Sequence, residues 1–115
     1  MLLRTVSMLL VGGLSASAAL AQSEINLDEF SVNCVSDVDQ KGVTLSRSGG
    51  SDKGFIATDT LEGEASIFPG LNTMTFLLIQ GSDVVTFVVD YTTMEYDMRI
   101  KGAVQKNDKG TCTVA

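Results

Sequence analysis

The sequence predicts an all-β domain: a small antiparallel barrel or sandwich of about seven to eight short strands that ends in a β-meander, with a disulfide joining the first strand to the last. Three observations carry this. Runs of β-branched and aromatic residues recur along the chain with short turn signals between them, no stretch shows the 3.6-residue periodicity of an amphipathic helix, and the two cysteines, Cys34 and Cys112, lie towards opposite ends.

The clearest runs lie between Asn72 and Gly102: Thr73 to Gln80, Val84 to Tyr91, and Met94 to Lys101. The third fixes the phase, because Met94, Tyr96, Met98 and Ile100 alternate with Glu95, Asp97, Arg99 and Lys101. A loop of two or four residues at Tyr91 to Met94 then sets Val89 opposite Tyr96, Phe87 opposite Met98 and Val85 opposite Ile100. A Gly81-Ser82 turn, with glycine first as a type II′ turn wants, pairs Val85 with Leu78, Phe87 with Phe76 and Val89 with Met74. One apolar face therefore runs through all three strands.

The same register leaves Leu77, Ile79, Val84 and Val88 together on the other face, among Thr75, Thr86 and Asp90. An apolar patch of this kind is either covered by another part of the chain or is a binding surface. These four residues are the candidate interaction face.

Before the meander, Phe30, Val32 and Cys34 alternate with Ser31, Asn33 and Val35 as a first strand, after a loose leader from Gln22 to about Asp28. A turn at Asp39 to Gly42 leads to Val43-Thr44-Leu45, and the Gly- and Ser-rich loop from Arg47 to Gly54, expected to be the most flexible internal segment, leads to Phe55 to Thr58. Ala65 to Phe68 is a fourth strand, ended by Pro69-Gly70. After the meander, Asn107 to Gly110 reads as a turn into Thr111 to Val114. The five phenylalanines, Phe30, Phe55, Phe68, Phe76 and Phe87, are enough to fill a barrel of this size.

Residues 1–21 read as a secretory signal peptide, with Arg4, an apolar middle and small residues at Ala19 and Ala21; residues 22–115 then form one domain. A periplasmic or secreted location follows, with no membrane anchor after cleavage. A domain of roughly 94 residues gains from a covalent staple, and in an oxidising compartment Cys34 and Cys112 pair most simply with each other, for about 4 kcal/mol in the chain-entropy model.

The chain is acidic, with a net charge of −6, which argues against nucleic acid as a partner. Its acids concentrate early (Glu24, Asp28, Glu29, Asp37, Asp39) and its bases late (Arg99, Lys101, Lys106, Lys109), so a disulfide between the ends makes them neighbours, which reads as mutual compensation on a solvated surface rather than an anion site. No histidine is present, which removes Ser-His-Asp and Cys-His chemistry and ordinary zinc or haem ligation. The calcium-like start at Asp37 fails at Lys41 and Ser48. Met74, Met94 and Met98 suit a core better than a copper(I) site, and Glu62 with Glu64 reads as turn chemistry rather than a glycosidase pair. No enzyme activity, cofactor or metal is expected.

Phe30-Ser31-Val32-Asn33-Cys34 in the first strand and Gly110-Thr111-Cys112 at the end resemble the architecture of bacterial periplasmic C-type lysozyme inhibitors. The resemblance covers the two ends only. That family's Ser-Gly-x-x-Tyr type loop is absent; Ser46 to Gly50 is the nearest segment and lacks the tyrosine, so no inhibitory residue is carried over. The expected function is a non-enzymatic envelope module that binds another envelope protein or a second copy of itself through the outer hairpin face, an exposed strand edge or the Arg47–Gly54 loop. The alternatives are a small apolar-ligand carrier in the barrel interior and an inhibitor-like protein by fold analogy.

Overall fold

The computed structural model describes residues 25–103 and 105–115. The signal-peptide reading of residues 1–21 lies outside them. Eight strands follow one another: β1 (Ser31–Ser36), β2 (Gly42–Arg47), β3 (Lys53–Ala57), β4 (Glu62–Pro69), β5 (Thr73–Gln80), β6 (Asp83–Asp90), β7 (Glu95–Lys101) and β8 (Lys106–Val114). Each pairs antiparallel with its neighbour, and β8 returns to β1, so the sheet is a closed barrel rather than a sandwich. Closure gives every strand two partners and leaves no free sheet edge among the described residues, which removes strand addition as a mode of binding.

Alternation decides what lies inside. Every second residue points to the interior, where Phe30, Val32, Leu45, Ile56, Met74, Phe76, Phe87, Val89 and Tyr96 are almost wholly buried. Eight strands enclose a space that side chains can fill, and here they do, with Phe30 against Phe76 and Tyr91, and Phe87 against Tyr96. The meander register is the one the alternation predicts: Val89 faces Tyr96 and Met74, Phe87 faces Met98 and Phe76, and Val85 faces Ile100 and Leu78. Gly81 takes the left-handed conformation, φ 64°, in the two-residue turn between Gln80 and Asp83.

Two of the five phenylalanines are outside. Phe55 and Phe68 are 42% and 55% exposed, because Gly54 and Ile56 in β3, and Ala65 and Ile67 in β4, take the inward phase. Gly54 is fixed by crowding: a Cβ there would come within 2.6 Å of Ile67 Cδ1.

The segment Asn107 to Gly110 is strand, not turn. It pairs with β7, Asp97 opposite Lys109 and Met98 opposite Asp108, so β8 already begins at Lys106. Long-range pairing overrides local turn preference here. Asp108 sits in the inward phase and accepts hydrogen bonds from Ser36 Oγ at 2.8 Å and Tyr96 OH at 3.0 Å. Gly110 lets the Val35 carbonyl and the Tyr96 ring approach the backbone, where any side chain would collide. Glu62 and Glu64 likewise belong to β4, not to a turn.

The Arg47–Gly54 loop is tied down. Arg47 donates from Nε to Ser51 O at 2.7 Å, from Nη2 to Gly50 O at 2.9 Å and from Nη1 to Leu27 O at 3.1 Å. Glu29 accepts from the Gly49 amide at 2.9 Å and from Ser48 Oγ at 3.2 Å. The segment before β1 is therefore part of the fold as well. Asn26 Oδ1 accepts from the amides of Asp28 and Glu29, and Ile25 packs against the core.

Candidate functional site

The outer face of the β5–β6 hairpin is built by the same alternation that builds the core. Across the sheet its residues form three rows: Phe68, Thr75, Val88 and Asp97; Ser66, Leu77, Thr86 and Arg99; and Ile79, Val84 and Lys101. Leu77, Val84 and Val88 are half-buried by their neighbours on the sheet, and Ile79 is 66% exposed. All four predicted residues thus share one side of the barrel, and Ile79 stands directly opposite Val84. The face is wider than the alternation of the meander alone indicates, because Phe68 of β4 extends it; the signal was there in the Ala65 to Phe68 run, but its phase depends on the pairing of β4 with β5.

Between the hairpin and β7 the twist of the sheet leaves a shallow depression of about 500 Å³ over Val84, Thr86 and Val88, bounded by Asp97, Arg99 and Lys101. A second hollow, about 360 Å³, adjoins it at the end of the β7–β8 hairpin and is lined by Arg99, Ile100, Lys101, Gln105, Lys106 and Asn107. The Arg47–Gly54 loop borders a third, about 550 Å³, between Ser31, Ser46, Phe55 and Glu64.

The barrel mouth between the turns is a different kind of site. Its floor is Val43, Val85, Phe87 and Met98, and Asp39, Lys41, Asp59, Lys106 and Asp108 stand around it. The enclosed space is about 70 Å³, room for a few water molecules and well below the several hundred Å³ of an ordinary small-molecule pocket. Lys41 Nζ pairs with Asp59 Oδ2 at 2.9 Å across the rim, which raises the Lys41 pKa. The Lys41 amide, donating to Asp39, holds that carboxyl below the usual range. Deeper in, burial and the Asp108 carboxylate push the Tyr96 phenol up.

No early acid forms an ion pair with a late base among the described residues: the two ends meet through backbone, the Asp37 amide donating to Lys109 O, and the one ion pair there is Lys41 with Asp59. Among those residues no group of three or more acidic or cysteine side chains is placed to hold a metal ion. Cys34 and Cys112 are joined, and a disulfide is compatible with an oxidising, extracytoplasmic compartment. No family model, no curated protein and no solved structure matches this chain.

Proposed function

We propose that the chain is a small exported bacterial envelope protein, periplasmic or secreted, that acts as a non-enzymatic protein-binding module through the outer face of the 73–91 hairpin. The observation that carries this reading is the apolar lane of Leu77, Ile79, Val84 and Val88 on the outside of a barrel whose interior is already filled. Apolar side chains gathered beside a concave surface are the usual mark of an interaction site. The ligand-carrier alternative has less support, since the mouth holds about 70 Å³. Inhibition of a lysozyme is left with the sequence likeness of the two chain ends alone.

Site-specific photocrosslinking in living cells tests the proposal. A benzophenone amino acid at position 79 is expected to yield a discrete protein adduct, and the same group at position 113, on β8, is expected to yield none. Equal adducts from both positions, or none from position 79, would contradict it.

A further inference from the structure

The basic hollow beside the hairpin face indicates what chemistry the partner carries. Two of the eight basic residues of this acidic chain, Arg99 and Lys101, line it from the outward phase of β7, with Gln105 and Asn107 beside them; Lys106, opposite Ile100, is in the inward phase and stands with Asp39 and Asp108 at the barrel mouth. Neither Arg99 nor Lys101 forms an ion pair among the described residues. Like charges two residues apart on one face of a strand repel, and a carboxylate brought to them relieves that repulsion.

Arg99 and Lys101 also line the depression over Val84, Thr86 and Val88, so the basic hollow and the apolar lane are continuous. In register, Lys101 is opposite Val84 and Arg99 opposite Thr86, whereas Asp97 is opposite Val88. The lane is thus flanked by positive charge at its turn end and by negative charge at the other. We propose that this surface takes a polypeptide segment of a partner protein that sets carboxylates beside apolar side chains, with its acids at Arg99 and Lys101 and its apolar residues on Leu77, Ile79 and Val84.

An anionic bilayer would meet Asp97 as well as Arg99 and Lys101, whereas a chain segment can set its acids at the basic end alone. Asp97 gives the segment one direction, because acids placed next to Val88 would meet a like charge. The inference rests on the reading of the hairpin face as a binding surface.

A random dodecapeptide library displayed on phage, panned at low salt against the oxidised chain, tests it. Enriched peptides are expected to combine Asp or Glu with Leu, Ile, Val or Phe, and a synthetic representative is expected to bind the Arg99→Glu, Lys101→Glu double variant roughly tenfold more weakly and to lose affinity as salt is raised. Circular dichroism confirms the fold of each variant. Peptides that lack acids, or that bind the charge-reversed variant as well as the parent, overturn the inference. If such peptides are still lost on a Leu77→Lys, Ile79→Lys double variant, the hairpin-face reading survives and only the acidic complement falls. No enrichment, or binding to phosphatidylglycerol vesicles in place of peptides, also overturns it.

Discussion

Cys34 and Cys112 face each other directly across the β1–β8 seam, with Cα atoms 3.9 Å apart and both side chains inside the barrel. The Cys112 amide donates to Met94 O on the other side, so the cysteine pair is of the non-hydrogen-bonded kind, in which side chains approach most closely. The bond therefore locks the pairing that turns a sheet into a barrel. It spans 78 residues of sequence. Reduction, or the Cys34→Ala, Cys112→Ala double variant, is expected to lower the unfolding free energy by about 2–5 kcal/mol in guanidine titrations with and without dithiothreitol. An unchanged midpoint would show that the seam holds without its staple.

The carboxylate of Asp108 serves two hydroxyls, Ser36 Oγ and Tyr96 OH, and Ser36 Oγ in turn accepts from the amides of Val38 and Asp39. Asp108→Ala leaves both hydroxyls short of an acceptor and is expected to cost about 1–3 kcal/mol. Asp108→Asn keeps an acceptor and is expected to cost less. Asp108→Leu, which fills the volume without offering an acceptor, separates this from a packing effect in chemical denaturation: it is expected to cost as much as Asp108→Ala, and a cost as small as that of Asp108→Asn would contradict the account.

The same network sets an alkaline limit. Burial and the Asp108 carboxylate raise the Tyr96 phenol above its ordinary value of 10.0, so the folded state holds this proton more tightly than the unfolded chain does. Stability from this group is complete below that ordinary value and declines as the pH rises beyond it. Thermal melts across that range are expected to fall more steeply for the parent than for Tyr96→Phe, with the Tyr96 phenol ionising above its ordinary value in an ultraviolet titration.

Neighbouring residues of β5 respond oppositely to the same charge. Ile79→Lys is expected to change stability by no more than about 0.5 kcal/mol, because its side chain is largely in water, whereas Leu78→Lys places an unpaired charge in the core and is expected to unfold the domain. Circular dichroism and a melting curve suffice to check this. Loss of fold in Ile79→Lys would mean that the face is part of the core.

Much of this was legible in the sequence. The alternation of Met94, Tyr96, Met98 and Ile100 with charged residues fixes the meander to the residue, and with it the membership of the outer face. What was not legible depends on distant pairing. Asn107 to Gly110 has the composition of a turn, yet β7 pairs with it throughout and β1 joins at Gly110, and this distant pairing sets an aspartate and a glycine in inward positions. The glycines and serines after Arg47 suggest flexibility, but one guanidinium gathers three carbonyls and fixes them. Phe55 and Phe68 fall outside because their strands are phased by Gly54, Ile56, Ala65 and Ile67.

The central claim is that the outer hairpin face is a surface for a partner. Affinity capture from envelope extract with the mature, oxidised chain, run beside a Leu77→Lys, Ile79→Lys double variant shown to be folded by circular dichroism, tests it most directly. The account predicts a protein held by the parent and lost by the variant. Capture of the same proteins by both forms, or of nothing by the parent, would contradict it.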